Sequence, residues 1–257
     1  MKVVILAGGY GTRLADENEI KPKPMIEIGG RPILWHILMQ YDFYGYKNFV
    51  IALGLKGEMI KRYLVDYFLL QGNLTVNLKS GETVQHDKPR QDWVVDLVDT
   101  GIHTKTGGRL KRLAPYLHEG TFMMTWGDSV SDVDIHKLVA FHRHHGKLAT
   151  ITAVRPTARY GYMVFDDEKV VKFTEKSQIE RGWINGAYFV LEPEVIDYID
   201  HDDTVWEFDP LERLARDGQL MAFRHTSFWQ CVDTPREKQI LETLWQSNHA
   251  PWKVWED

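Results

Sequence analysis

"VVILAGGYGTRLADENEIKPKPMIEIGGRPILWHIL" runs from Val3 to Leu38 and decides the fold. Lys2 to Ala7 is short, β-branched and closed by glycine, which predicts a buried strand. From Pro32 the period changes. Ile33, Ile37 and Tyr41 recur at four-residue steps, with Leu34 and Leu38 beside them, so a helix follows, with Pro32 in its first turn and Gly45 at its end. Strand, glycine turn and helix in this order begin an α/β fold.

The same alternation continues outward. Asn48–Leu53, Leu74–Leu78, Trp93–Val98, Thr121–Trp126, Leu148–Val154 and Ala187–Leu191 read as strands. Met59–Phe68, Ile135–His145, Pro210–Arg216 and Pro235–Trp245 read as helices. Tyr162–Phe165 and Val170–Phe173 flank "DDEK", a hairpin signal. The pattern predicts a mostly parallel central sheet with helices around it.

At 257 residues and 44% hydrophobic content the chain can bury one large core. We expect one domain over 1–257, with a polar excursion near 72–112 and a decorated C-terminal portion; two fused half-size domains are the alternative. There is no apolar run of membrane-spanning length and no signal-peptide pattern, so no membrane partner is expected. The single cysteine, Cys231, cannot form an internal disulfide and fits a reducing, cytoplasmic setting. A formal charge of -5 argues against a nucleic-acid partner.

Gly8, Gly9 and Gly11 lie at the carboxyl end of the first strand, where ligands sit in α/β sheets. Absent side chains there let backbone N–H groups approach a phosphate or a base. Two familiar loops are excluded. The spacing is not G-x-G-x-x-G, with no acidic residue after Leu53 to hold a ribose, and there is no G-x-x-x-x-G-K-[ST]. Glycines alone would fit an empty tight turn, and "KPKP" alone a solvated linker. Together with Arg13, whose planar fork suits phosphate oxygens, and Lys23, flanked by Pro22 and Pro24, they describe a triphosphate cradle.

These residues resemble the sugar-1-phosphate nucleotidylyltransferases, and among them the glucose-1-phosphate cytidylyltransferases. The resemblance rests on "LAGGYGTRL", "KPKPMIEIGGRPILWHI", "DTGIHTKTGGRLKR", "WGDSVSDVDI", "INGAYFVL", "FWQCVDTPRE" and "APWKVWE", and covers nearly the whole chain. It implies a Rossmann-like, mixed but mostly parallel sheet of the nucleotide-diphospho-sugar transferase fold. It implies the reaction of CTP with a sugar 1-phosphate, giving CDP-sugar and pyrophosphate, with Mg²⁺. It also implies a homo-oligomer, a hexamer among the options.

Carried over by position, the resemblance places Leu6, Ala7, Gly8, Gly9 and Tyr10 against the cytosine and ribose. Gly11, Thr12 and Arg13 would hold the triphosphate, and Lys23 would neutralise the α-phosphate or the attacking group. Thr104, Arg109 and Gly127 match nucleotide contacts, and Asp128 and Asp233 the metal pair. Glu175, Lys176, Asn185 and Gly186 match the sugar-phosphate site, with Gly161 ending its upstream loop. Ser129, Ser177 and "TARYGYM" depart from the family pattern, all near the expected sugar site, and put the sugar's identity in doubt.

Other features have plainer readings. His142 and His145 lack a carboxylate or cysteine partner in the sequence pattern and read as a solvated cluster at a helix end. Asp132 and Asp134 resemble the D-x-D of metal-using glycosyltransferases, but either would serve as the N-cap of the helix from Ile135. Cys231 reads as packed beside the site. The tryptophans from Trp245 onward would cover this subunit's own core or pack between subunits. The competing functions are a same-fold enzyme with another base or sugar, a D-x-D glycosyltransferase, and a non-catalytic homologue.

Overall fold

The structure is a computed structural model that describes residues 1–9, 21–87, 90–155, 162–174 and 182–256. In chain order its first half contains β1 (Val3–Leu6), β2 (Glu27–Ile28), β3 (Arg31–Pro32), α1 (Ile33–Phe43), β4 (Asn48–Leu53), α2 (Gly57–Leu69), β5 (Leu74–Val76), β6 (Thr83–Gln85), β7 (Val94–Asp99), α3 (Thr106–Arg112) and α4 (Ala114–Leu117). Next come β8 (Phe122–Trp126), β9 (Ser129–Ser131), α5 (Ile135–His145), β10 (Ala149–Val154), β11 (Tyr162–Asp166) and β12 (Lys169–Thr174). The chain then forms β13 (Ile184–Leu191), α6 (Asp209–Arg216), β14 (Leu220–Arg224), β15 (Trp229–Cys231) and α7 (Pro235–Gln246).

Seven strands form the central sheet in the order β14-β10-β13-β8-β1-β4-β7. β1 pairs in parallel with β4 and β8, β4 with β7, and β10 with β14; β13 runs against both β8 and β10. The sheet is therefore mixed and mostly parallel, as the alternation of strands and helices required. One consequence governs the site. The carboxyl ends of β1, β4, β8, β10 and β14 and the amino end of β13 all meet one edge.

β1 shows why its sequence is apolar without interruption. Val3, Ile5 and Ala7 join the core on one face, with residues of α1, α2, α5 and α7. Val4 and Leu6 join the other, with residues of α3, α4 and α6. A strand covered on both faces cannot alternate polar and apolar residues. Each fully buried Val, Leu or Ile contributes about 1.5–3 kcal/mol.

Among the described residues of the segment read as an excursion, the β5–β6 hairpin forms a two-stranded sheet apart from the central one. β7 returns as its edge strand, and α3 packs against it with Leu110 buried. The segment 72–112 thus combines a separate hairpin with an edge strand of the central sheet. Leu78 lies beyond β5, at the hairpin tip, 93% exposed.

The C-terminal tryptophans cover this chain's own core. Trp245, Trp252 and Trp255 surround His36 of α1, with Trp35 beside it. Trp252 is 1% exposed. Gly29, at φ +59°, passes directly beneath Trp245: an added Cβ would lie 1.9 Å from the indole nitrogen. This ties "EIGGRP" to the chain's last turns.

His36 is buried, and a ring nitrogen meets the Ile28 carbonyl oxygen at 2.9 Å. Burial pushes its pKa down to about 4. The unfolded chain therefore takes up a proton near pH 6.5 that the folded chain refuses until about pH 4. Stability should be full above pH 6.5 and fall as the pH drops to 4, by on the order of 3 kcal/mol in total from this group. Thermal melts between pH 7 and 4 should show that slope in the native chain and a shallower one in His36→Gln. Equal slopes would show that His36 is not held neutral.

Candidate active site

The carboxyl edge of the sheet opens into a cavity of about 370 Å³. It is lined by Leu6, Ala7, Gly8 and Gly9 after β1, by Lys23, by Thr104 and Arg109, and by Gly127 and Asp128 after β8. The structure thus brings together nine residues that the sequence assigned to the nucleotide and metal. Tyr10, Gly11, Thr12, Arg13, Gly161, Glu175 and Lys176 lie outside the described residues.

Lys23 is held by a turn and not by an extended linker. Lys23–Met25 form a 3-10 turn, with Met25 N–H donating to the Pro22 carbonyl at 2.8 Å and Ile26 N–H to the Lys23 carbonyl at 3.0 Å. Pro24 is buried against Gly127, where an added Cβ would come within 2.6 Å of the proline ring. The prolines therefore fix Lys23 by packing as well as by restricting φ.

The Lys23 ammonium donates to Asp128 Oδ2 at 3.0 Å and to Asp233 Oδ1 at shorter range. Burial works against the lysine's charge, but the two carboxylates outweigh it and hold its pKa above the ordinary value. Burial also raises the Asp128 carboxyl above the usual carboxylate range, against the pull of Lys23. Asp233 is placed by the start of α7. Its N–H and that of Thr234 donate to Glu237 Oε2 at 2.8 and 2.9 Å, and Glu237 N–H donates to Thr234 Oγ1, a capping box. Val232 N–H donates to the Asp128 carbonyl at 2.8 Å and ties the two aspartate-bearing segments together.

Cys231, Asp233 and Glu237 place their ligand atoms within 4.8 Å of one another. Glu237 is spent on the helix cap, and burial pushes the Cys231 thiol up to about 12, so it stays protonated. Of the three, Asp233 is the group directed at a cation. Two carboxylates converging on one ammonium form an oxygen set that suits a hard divalent ion.

Arg109 has a role that the sequence did not show. It is 4% exposed, and its guanidinium donates to the carbonyls of Leu53 (2.9 Å), Gly8 (2.9 Å) and Ile102 (3.3 Å) and to Thr100 Oγ1 (2.7 Å). An added Cβ at Gly8 would fall 2.3 Å from its Cζ. Gly8 must be glycine because an arginine braces it, whatever ligand lies beyond. Cavity residues that the sequence reading left unassigned are His103, Lys105, Thr106, Trp126, Pro24 and Glu207. Glu207 accepts from Thr106 Oγ1 at 2.5 Å, a pairing across 101 positions with no local signal.

Asn185 and Gly186 are not among the residues lining this cavity. Asn185 Oδ1 accepts the Ala187 N–H at 2.8 Å, where Ala187 adopts φ +63° and β10 and β13 change register. Gly186 passes too close to Val154 for a side chain. Both shape the start of β13. Ser129 is likewise buried in β9, opposite Cys231, so its departure from the family pattern is a packing change outside the cavity lining. Asp134 caps α5 by accepting from Lys137 N–H, and Asp132 pairs with His225 and Ser227. His142 and His145 share the Thr150 hydroxyl, and His142 also meets Glu192.

Residues 2–236 match the nucleotidyl transferase family. The chain belongs to that family. This nucleotidyl transferase is 50% identical over 257 residues, the full length of both chains, to a glucose-1-phosphate cytidylyltransferase of Salmonella typhi. It is 38% identical over 256 residues to a probable glucose-1-phosphate cytidylyltransferase of Bacillus subtilis, covering 99% of this chain and 100% of the relative. Among solved structures, HddC from Yersinia pseudotuberculosis superposes with a TM-score of 0.68 at 25% identity, over 95% of this chain and 99% of the other. A putative glucose-1-phosphate thymidylyltransferase from Bacillus anthracis shares the fold, with a TM-score of 0.66 over 100% of this chain and 97% of the other, at 17% identity.

Bracing by Arg109 makes a testable claim. Arg109→Ala removes the guanidinium from the buried Gly8 carbonyl and opens a void, which should cost about 1–3 kcal/mol and lower Tm by roughly 3–10 °C. Gly8→Ala should do the same from the other side. Unchanged Tm values in both variants would show that the turn holds itself.

Proposed function

We propose that the chain transfers a cytidylyl group from CTP to a sugar 1-phosphate, α-D-glucose 1-phosphate first among them, and releases pyrophosphate. The observation that carries this reading is the meeting of Lys23, Asp128 and Asp233 beside the glycine turn, in a chain 50% identical to a glucose-1-phosphate cytidylyltransferase. An oxygen of the sugar phosphate forms a bond to the α-phosphorus as the bond to the β-phosphate oxygen breaks, and pyrophosphate leaves with the electron pair. Such a transfer asks for positioning and charge neutralisation, with no covalent intermediate on the protein.

Each group has a place in that task. The backbone of Leu6 to Gly9 faces the base and ribose; Thr104, Arg109 and Gly127 complete this wall. Arg109 acts by holding Gly8. Lys23 supplies positive charge at the α-phosphate. Tyr10, Gly11, Thr12 and Arg13 are assigned to the nucleotide, with Arg13 on the leaving pyrophosphate. Gly161, Glu175, Lys176, Asn185 and Gly186 are assigned to the sugar phosphate, the last two at the amino end of β13. Asp128 and Asp233 would hold Mg²⁺, since both already direct oxygens at one cation, and when bound it would neutralise phosphate charge. Exposed apolar residues on α2 and the nearby hairpin, Phe68, Val76 and Leu78, support a homo-oligomer, which the resemblance would extend to a hexamer.

The D-x-D glycosyltransferase reading finds no support in the geometry. Asp134 is a helix cap and Asp132 pairs with His225, while the cation-directed aspartates are Asp128 and Asp233.

Incubation with each of the four NTPs, glucose 1-phosphate and Mg²⁺ should yield pyrophosphate and CDP-sugar with CTP. Turnover with UTP or dTTP and none with CTP would overturn the cytidylyl assignment. Lys23→Met, Asp128→Asn and Asp233→Asn should each lower kcat by about 10²–10³. Lys23→Met, which leaves two facing carboxylates, should lower Tm modestly, while Asp128→Asn and Asp233→Asn, which relieve that repulsion at partly exposed side chains, should leave Tm near that of the native chain. A large fall in Tm with kcat preserved would make the trio structural.

A further inference from the structure

Outside the trio just described, one cluster at the same sheet edge has no assigned role. Arg155 follows the last residue of β10, Trp183 precedes the first residue of β13, and Arg224 ends β14. Pairing of Val154 with Ile184 and of Ala153 with Arg224 brings the three together. The Arg155 guanidinium lies over the Trp183 ring, 4.5 Å from its centroid, and that of Arg224 lies 5.6 Å from the same centroid.

Two like charges on one indole repel each other, and each cation–π contact returns only a little at a half-exposed site. Among the described residues neither arginine has a carboxylate partner, although the chain carries a net charge of -5. Arg155 Nε is buried and has no hydrogen-bond partner among the described residues. A pair of guanidiniums gathered without an anion, one with an unused buried donor, is an arrangement that an anionic ligand completes.

Its place fits the acceptor side of the reaction. The amino end of β13 reaches the edge that carries Asp128, and Trp229 Nε1 donates to the Gly186 carbonyl at 2.8 Å. That bond fastens the start of β13 to β15, which leads directly into Asp233. We propose that Arg155, Trp183 and Arg224 form an anion-accepting subsite that selects the sugar 1-phosphate, a proposal that rests on the reading of the chain as a sugar-1-phosphate cytidylyltransferase. The anion is either the 1-phosphate itself or a second acidic group on the hexose.

Steady-state kinetics with CTP, using glucose 1-phosphate and glucuronic acid 1-phosphate as acceptors, tests this in Arg224→Gln and Trp183→Ala. Arg224 is exposed at the end of an edge strand, so its replacement should leave Tm unchanged. The KM for the sugar phosphate should rise about tenfold, the loss of one charge-assisted contact, with the KM for CTP and kcat within about twofold. A rise with both acceptors identifies the 1-phosphate as the anion, and a rise confined to the uronic acid identifies a second acidic group. Unchanged KM values for both acceptors, or an equal rise in the KM for CTP, would overturn the subsite. If the native chain turns over neither acceptor with CTP, the functional reading fails instead. Calorimetric titration with glucose 1-phosphate alone then judges the cluster: weaker binding by Arg224→Gln supports it, and identical binding overturns it.

Discussion

The ammonium of Lys23, shared between Asp128 and Asp233, is the interaction on which the site depends. The two aspartates lie 105 and 210 positions away from the lysine. Two carboxylates this close repel each other unless a cation stands between them. Everything around the trio serves to hold that convergence. A 3-10 turn packed on Gly127 fixes the lysine, the end of β8 fixes Asp128, and the capping box of α7 fixes Asp233. The arrangement stores a ready position for positive charge next to the turn where a triphosphate would lie.

A second constraint keeps the cavity wall in place. Arg109 buries a full charge and repays its desolvation with hydrogen bonds to the ends of β1 and β4 and to the segment after β7. Burying a guanidinium is costly unless its donors are used. Here they are used on backbone carbonyls and on the Thr100 hydroxyl, so the arginine clamps three segments at the sheet edge. The family resemblance marked Arg109 as a nucleotide contact, and the packing adds the reason that Gly8 and Gly54 can carry no side chain beside it.

Much of this was legible in the chain of residues. Val3–Leu6, Asn48–Leu53 and Ile135–His145 announced themselves because burial on both faces, or on one helical stripe, leaves a periodic trace. α3 did not. Its "TGGRLKR" carries two glycines, which disfavour a helix. They are there because Gly107 and Gly108 press on the backbone of Thr204 and Asp202. β9 and β15 are three residues each and, among the described residues, pair with one another, so neither leaves a periodic signal. Asn185 and Gly186, which match a sugar-binding motif, sit at the amino end of β13, outside the cavity lined by the residues matched to the nucleotide.

Fold class, the glycines after the first strand, and the residue types able to meet a triphosphate and a cation are legible in the residues alone. Those depend on local periodicity and on side-chain chemistry, both of which are written in neighbouring residues. It took the folded chain to bring Lys23 to both aspartates, Arg109 to Gly8, and Arg155, Trp183 and Arg224 together at the same sheet edge. Each of these is a contact between segments far apart in the chain, set by the strand order and by which ends of the strands share an edge.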